Sequence, residues 1–246
     1  MPEINIILFL VLVVGGALVQ TVTGFAMGLI IIAGVTALDI AEISFSAAVV
    51  SFISLANAAV ALRHNHRHID FHYLKWISLG LVPLLVVGFV LLDYFSAQYY
   101  NLLKIMLGIV IIGAGVMLMI TPAPYKKKSS KLAIGSCGLL GGLIAGFYSA
   151  GGAPLAYFMY RQPIELNIIR STLLAIFAVS TLWRTIIAGI GGHLNTSVLI
   201  VAGVSIPVVV IVTMLTGRVV HCVPDKLVRR MVFILLIGVG AFLIVQ

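Results

Sequence analysis

An arginine inside an apolar run is the residue best placed to do chemistry in this chain. Arg184 lies within the run 169–189, about one to two helical turns from its far end. A guanidinium at membrane depth is costly unless something neutralises it, and such residues mark substrate pathways. No Asp or Glu stands near Arg184 in its own segment, so an anionic substrate is the expected partner. The competing reading is a side chain that snorkels to the outer headgroups. Ser180 and Thr181 share its general helical face, and Trp183 sits beside it.

Two breaks in the apolar pattern come next, at Thr21–Gly24 and Ser149–Pro154. They occupy equivalent places in a weak internal repeat. Sliding the first half onto the second puts Gly15-Gly16 on Gly141-Gly142 and Thr23-Gly24-Phe25-Ala26 on Ser149-Ala150-Gly151-Gly152. It also puts Ser54 on Ser180, Asn57 on Trp183 and Pro83 on Pro207. At a helix N-terminus, free N–H groups and the positive dipole end attract anions. Thr23, Gly24, Phe25, Ser149, Gly151 and Gly152 are therefore candidate substrate-binding residues, through the two hydroxyls and the tip amides. The alternative is that small residues merely let helices pack closely. Gln20 and Asn57 join the candidates as polar residues near the breaks. With Ser46, Ser51 and Ser54, Asn57 makes its segment unusually polar. That pattern reads as a lined pathway or as interhelical hydrogen-bonding glue.

These residues need a scaffold, and composition says which. Of 246 residues, 62% are hydrophobic and 9% charged, with a mean hydropathy of +1.22. A soluble domain carries roughly a quarter charged residues. The chain is therefore expected to be an all-α integral membrane protein with no soluble domain. Ile4–Val19 lacks a basic flank, which argues against a cleaved signal peptide. The net charge of +8 sits in short loops between apolar runs, which is topology chemistry and not a nucleic-acid face. Cys137 and Cys222 form no metal or disulfide pattern. The four histidines in Arg63–His72 match no metal motif, and a basic surface loop explains them better. No metal and no cofactor is called for.

Apolar runs at 4–20, 22–38, 43–62, 74–92 and 102–121, then 132–148, 151–160, 169–189, 197–217 and 229–245, give about eight to ten membrane segments. Residues 1–121 form a first membrane repeat, 122–131 a cytoplasmic linker and 132–246 a second repeat, together one transport domain. Arg63 and Arg67, Lys126–Lys128 with Lys131, Arg161 with Arg170, and Arg218, Lys226, Arg229 and Arg230 mark four loops that face the cytoplasm together. Both termini then lie outside a plasma membrane, the bacterial inner membrane. Segments 4–38 and 132–160 must each return to the side they entered from, as re-entrant or fully spanning hairpins. Each is followed by three spans. The two repeats are then inverted, the architecture of many transporters whose site lies at the repeat interface. The expected partners are a small anion and the lipid bilayer, with a homo-oligomer left open. The predicted spans hold no acidic residue.

No intramembrane aspartate pair, HExxH, GxSxG or P-loop is present, so no enzymatic activity is expected. A non-transporting scaffold or accessory subunit is the remaining alternative. GGLIAGFYSAGGAPLAYF at Gly141–Phe158, IIRSTLL at Ile168–Leu174 and GGALVQTVTGFAMG at Gly15–Gly28 resemble the TauE/SafE family of sulfite exporters. That resemblance runs over nearly the whole chain. It implies export of sulfite, an organosulfonate or another small anion. Two departures bear on substrate choice: the first tip holds less glycine than is usual for that family, and Arg170 stands where a small residue is commoner.

Overall fold

The computed structural model describes residues 5–23, 25–119, 125–192, 194–219 and 225–245. Among them the chain is all-helical. The elements are α1 (Ile6–Thr23), α2 (Met27–Ala37), α3 (Ile43–Asn65), a 3-10 turn (His66–His68), α4 (Phe71–Gln98) and α5 (Tyr100–Met119), followed by α6 (Lys131–Tyr148), α7 (Gly152–Tyr160), α8 (Leu166–Ile190), α9 (Thr196–Val219) and α10 (Asp225–Val245). Seven of the described helices are long and apolar enough to cross a membrane. The chain is a multi-pass membrane protein on that count. α2 and α7 have 11 and 9 residues, about half the rise that a ~30 Å hydrocarbon core requires. Each is the short arm of a hairpin whose long arm is α1 or α6.

Local chemistry sets the helix ends. Asp70 caps α4 by accepting from the amides of His72 (2.9 Å) and Tyr73 (3.4 Å). Ser130 caps α6 and Asn195 caps α9 in the same manner. Pro154 falls in the first turn of α7, where its missing N–H costs nothing. Two differences from the sequence reading stand out. α1 continues through Thr21 and Thr23, whose hydroxyls bond back to carbonyls one turn earlier, Ala17 O at 2.7 Å and Val19 O at 2.8 Å, so neither competes for the chain's own amides. The first break is thereby moved along the chain, with Phe25 and Ala26 outside any helix and α2 starting at Met27. α4 runs past Leu92 to Gln98 and carries Asp93 within the helix, so an acidic residue does sit in a span.

α4 and α6 pack backbone to backbone. A side chain at Gly142 would collide with the carbonyl of Leu81, and one at Gly80 with the carbonyl of Gly135. Small residues of this kind let membrane helices approach closely. Gly142→Leu is expected to destabilise the protein by about 1–3 kcal/mol, the usual cost of overpacking. Thermal unfolding in detergent checks this; an unchanged midpoint would mean the two helices have room to spare.

The loops sort onto two ends. At one end Lys128 Nζ lies 4.0 Å from Asp70 Oδ2. The Arg161 guanidinium covers the Tyr125 ring at 4.2 Å. Buried Gln162 bonds to Tyr73, Ser129 and the carbonyl of Phe158. The second hairpin thus leaves where it entered. At the other end the first turns of α3 and α9 meet the last turns of α4 and α8 around an open vestibule.

Candidate functional site

Both hairpin tips are built on left-handed backbone at non-glycine residues, Ala26 with φ 84° and Ser149 with φ 52°. Such residues carry strain that the surrounding structure must hold in place, and they cluster at functional sites. The tips touch. A Cβ placed on Gly28 would strike the Ser149 carbonyl, and one on Gly152 would lie 3.1 Å from Phe25 Cβ. Between the tips is a cavity of about 20 Å³, lined by Gln20, Phe25, Gly28, Ser54, Ser149 and Gly152 among others. It has room for about one water.

Arg184 comes from α8 and stands one residue away from the second tip, with Ser51 between them. Its side chain is 1% exposed and turned into the bundle, so it does not snorkel to headgroups. Nε donates to the Gly146 carbonyl (3.3 Å), and Nη1 donates to the Ala47 carbonyl (2.8 Å) and to Ser51 Oγ (3.1 Å). The guanidinium also lies 5.3 Å from the centre of the Phe89 ring. Nη2 is buried with no hydrogen-bond partner. A buried N–H left unpaired on a cation is costly, and a ligand oxygen would satisfy it. Ser51 Oγ in turn lies 3.1 Å from Ser149 Oγ, so one hydrogen-bonded line joins the guanidinium to the second tip. Arg184 also lines the vestibule, a space of about 680 Å³ whose walls include Glu42, Phe89, Asp93 and Asn195.

The other candidates fall into two groups. Gln20, Phe25, Ser149 and Gly152 line the tip cavity with one another. Thr23 is buried beside it, but its hydroxyl donates back to Val19 O and Phe25 O; its own carbonyl accepts from Tyr160 OH at 3.0 Å. Gly151 packs against the carbonyl of Gly141 and Ala145, behind the cavity wall. Gly24 lies outside the described residues. Asn57 stands one step behind the cavity: Gln20 Nε2 donates to its Oδ1 (3.1 Å), and its Nδ2 donates to Thr213 Oγ (2.7 Å). Trp183, its partner in the sequence repeat, is 43% exposed and plays no matching part.

The profile of the family described as sulfite exporter TauE/SafE matches residues 8–243. The chain belongs to the sulfite exporter TauE/SafE family. It is 37% identical over 228 residues, 93% of this chain and 89% of the relative, to a protein of Cupriavidus necator named "Probable sulfite/organosulfonate exporter TauE". No solved structure matches it.

Several residues of this TauE/SafE chain are not among the sequence-predicted site residues. Ser51 is the link between Arg184 and Ser149, and those contacts span 133 and 98 residues of chain. Phe177, Thr181 and Gly28 close the tip cavity. Gly28 had a signal, since it follows the first break by one helical turn. Phe89 had none. Cys137 is a buried packing residue, its Sγ 3.6 Å from the Pro154 carbonyl; Cys222 is outside the described residues. Among the described residues no cluster of His, Cys, Asp or Glu could hold a metal.

Proposed function

We propose that this protein is a secondary transporter that exports a small sulfur-containing anion, sulfite or an organosulfonate, and is not an enzyme. The carrying observation is Arg184: a buried cation whose Nη2 has no protein partner, joined through Ser51 to the meeting point of two hairpin tips. The name of the Cupriavidus necator relative points to the same chemistry. The anion would take Nη2 of Arg184 together with Ser149 Oγ and the tip amides near Phe25 and Gly152, with Gln20 completing the cradle and Asn57 orienting Gln20. The tip cavity is too small for sulfite as it stands, so the tips must part to admit it. Moving one charge through the field is worth about 2.3 kcal/mol per 100 mV, enough to drive export of an anion.

The transport machinery is read as two inverted repeats, α1–α5 and α6–α10. Helix packing supports this, since exchanging the halves maps several of the helix pairs onto one another. α4 against α6 matches α9 against α1, α3 against α9 matches α8 against α4, and α2 against α10 matches α7 against α5. The basic end is placed in the cytoplasm of a bacterial inner membrane. α1 ends under Tyr160 at that end, and α10 runs antiparallel to α5, which favours both termini outside. A cysteine introduced as Ser129→Cys should react with an impermeant maleimide in inside-out vesicles and stay unlabelled in intact cells. Labelling in intact cells would reverse the topology.

A thermal-unfolding screen of the purified protein against sulfite, sulfate, thiosulfate, sulfonates and carboxylates tests the substrate class. A ligand that binds only the folded protein stabilises it by mass action, by about 2.7 kcal/mol at a hundred times its Kd, and so raises its melting midpoint. Sulfite or a sulfonate should raise it; if only carboxylates do, the sulfur assignment fails.

A further inference from the structure

We propose that Asn57 is the two-fold counterpart of Arg184, and that the Gln20–Asn57–Thr213 bridge is the latch closing the tip cavity on the face opposite the vestibule. The inference rests on the transporter reading, but its geometry is independent of any substrate. Both residues are buried in the third helix of their half, Asn57 in α3 and Arg184 in α8. Besides the bonds of Arg184 to Ala47 and Ser51 in α3, each reaches two neighbours at equivalent places. One is in the last turn of the hairpin's long arm: Gln20 in α1 for Asn57, Gly146 in α6 for Arg184. The other is the sixth residue after a mid-helix proline: Thr213 after Pro207 in α9, Phe89 after Pro83 in α4. The burial pattern keeps the same register, with Ile53-Ser54 matching Ser180-Thr181 as buried pairs and Ala59 matching Ile186 as exposed positions. The sequence repeat alone placed Asn57 on Trp183, one residue off.

The two faces differ in how open they are. Ser44 and Phe45 of α3 line the vestibule beyond Arg184. In the same register their counterparts in α8 are Ser171 and Thr172. Both are buried, and Thr172 Oγ accepts the Asp70 amide at 3.0 Å. The Arg184 side of the bundle therefore opens into a funnel, and the equivalent side at Ser171 and Thr172 is shut. Behind the shut face, the closing bonds are amide to amide and amide to hydroxyl. These are neutral bonds of modest net strength that opening can break and remake. Arg184 keeps its charge towards the anion, whereas Asn57 holds a door without attracting the cargo. Exchanging the two conformations between the halves would open the Asn57 face and close the Arg184 face, the motion expected of inverted repeats.

The test uses full-length protein in proteoliposomes, with Cys137→Ser and Cys222→Ser and a reporter, Ser54→Cys, in the wall of the tip cavity. Thr213→Val removes the acceptor of Asn57 Nδ2 with little change of shape. It should raise the rate at which an impermeant maleimide reaches the reporter from the Lys126–Lys128 face by about fivefold, the shift that one hydrogen bond supports. The rate from the vestibule face should not rise. Asn57→Ala, if it folds, should give a larger change of the same sign. An unchanged rate from the basic face, or an equal rise from both faces, would overturn the latch. No substrate enters this assay. A failed latch therefore leaves the anion reading intact, and a failed anion screen leaves the latch result standing.

Discussion

Replacing Arg184 by alanine is expected to lower anion flux about 100-fold while the protein still inserts and accumulates normally. The reason lies in where the guanidinium points. Nη2 has no protein partner, so its hydrogen bond is available to the cargo. Hydrogen bonds to a buried charge are worth about 1.5–3 kcal/mol each, and about 3 kcal/mol is a factor of roughly 100. Arg184→Lys should recover part of the flux, because the ammonium restores the charge but cannot bond Gly146, Ala47, Ser51 and the anion from one planar fork. Flux through the alanine variant at the parent rate would leave Arg184 as a clamp between α3, α6 and α8. Its loss would then show only as a lower melting temperature.

Gly152→Leu is the second large effect. A Cβ here already lies 2.8 Å from the Phe177 ring and 3.1 Å from Phe25 Cβ, and the leucine side chain would fill the cavity of about 20 Å³ between the tips. Overpacking a closed site costs about 1–3 kcal/mol, but the loss of function should exceed the loss of stability if the filled space is the proposed anion site. Flux should fall below roughly a tenth of the parent rate, the factor that about 1.4 kcal/mol makes, and a sulfur anion should no longer raise the melting midpoint. Uptake and release at parent rates would place the path elsewhere, through the vestibule alone.

The helical segments were legible in the sequence because membrane helices must satisfy their own backbone, and long apolar runs leave few alternatives. The two breaks were legible for the complementary reason: Ser149, Gly151 and Pro154 interrupt a run that has no other cause to end. Arg184 stood out by type, since few side chains cost more at that depth. The limits of the reading are equally specific. Hydropathy stops at Leu92 and so places Asp93 outside its span, whereas the helix continues to Gln98. Thr21 and Thr23 looked like breakers, yet their hydroxyls fold back onto the helix. Ser51 showed only as one of several polar residues in its segment. Its importance comes from lying between Arg184 and Ser149, which is a property of the packed bundle and not of α3. The pairing of Asn57 with Arg184 needed the structure as well, because alignment of weak repeats is ambiguous by one residue. A shift of one residue turns a helical side chain by about 100°.

The most direct measurement is efflux from liposomes that contain the purified protein and are loaded with sulfite, under an interior-negative membrane potential. The account predicts sulfite or sulfonate release well above that of protein-free liposomes, faster as the potential grows, and abolished in Arg184→Ala. Release no faster than from protein-free liposomes, by protein that melts cooperatively and carries the parent sequence, would contradict it.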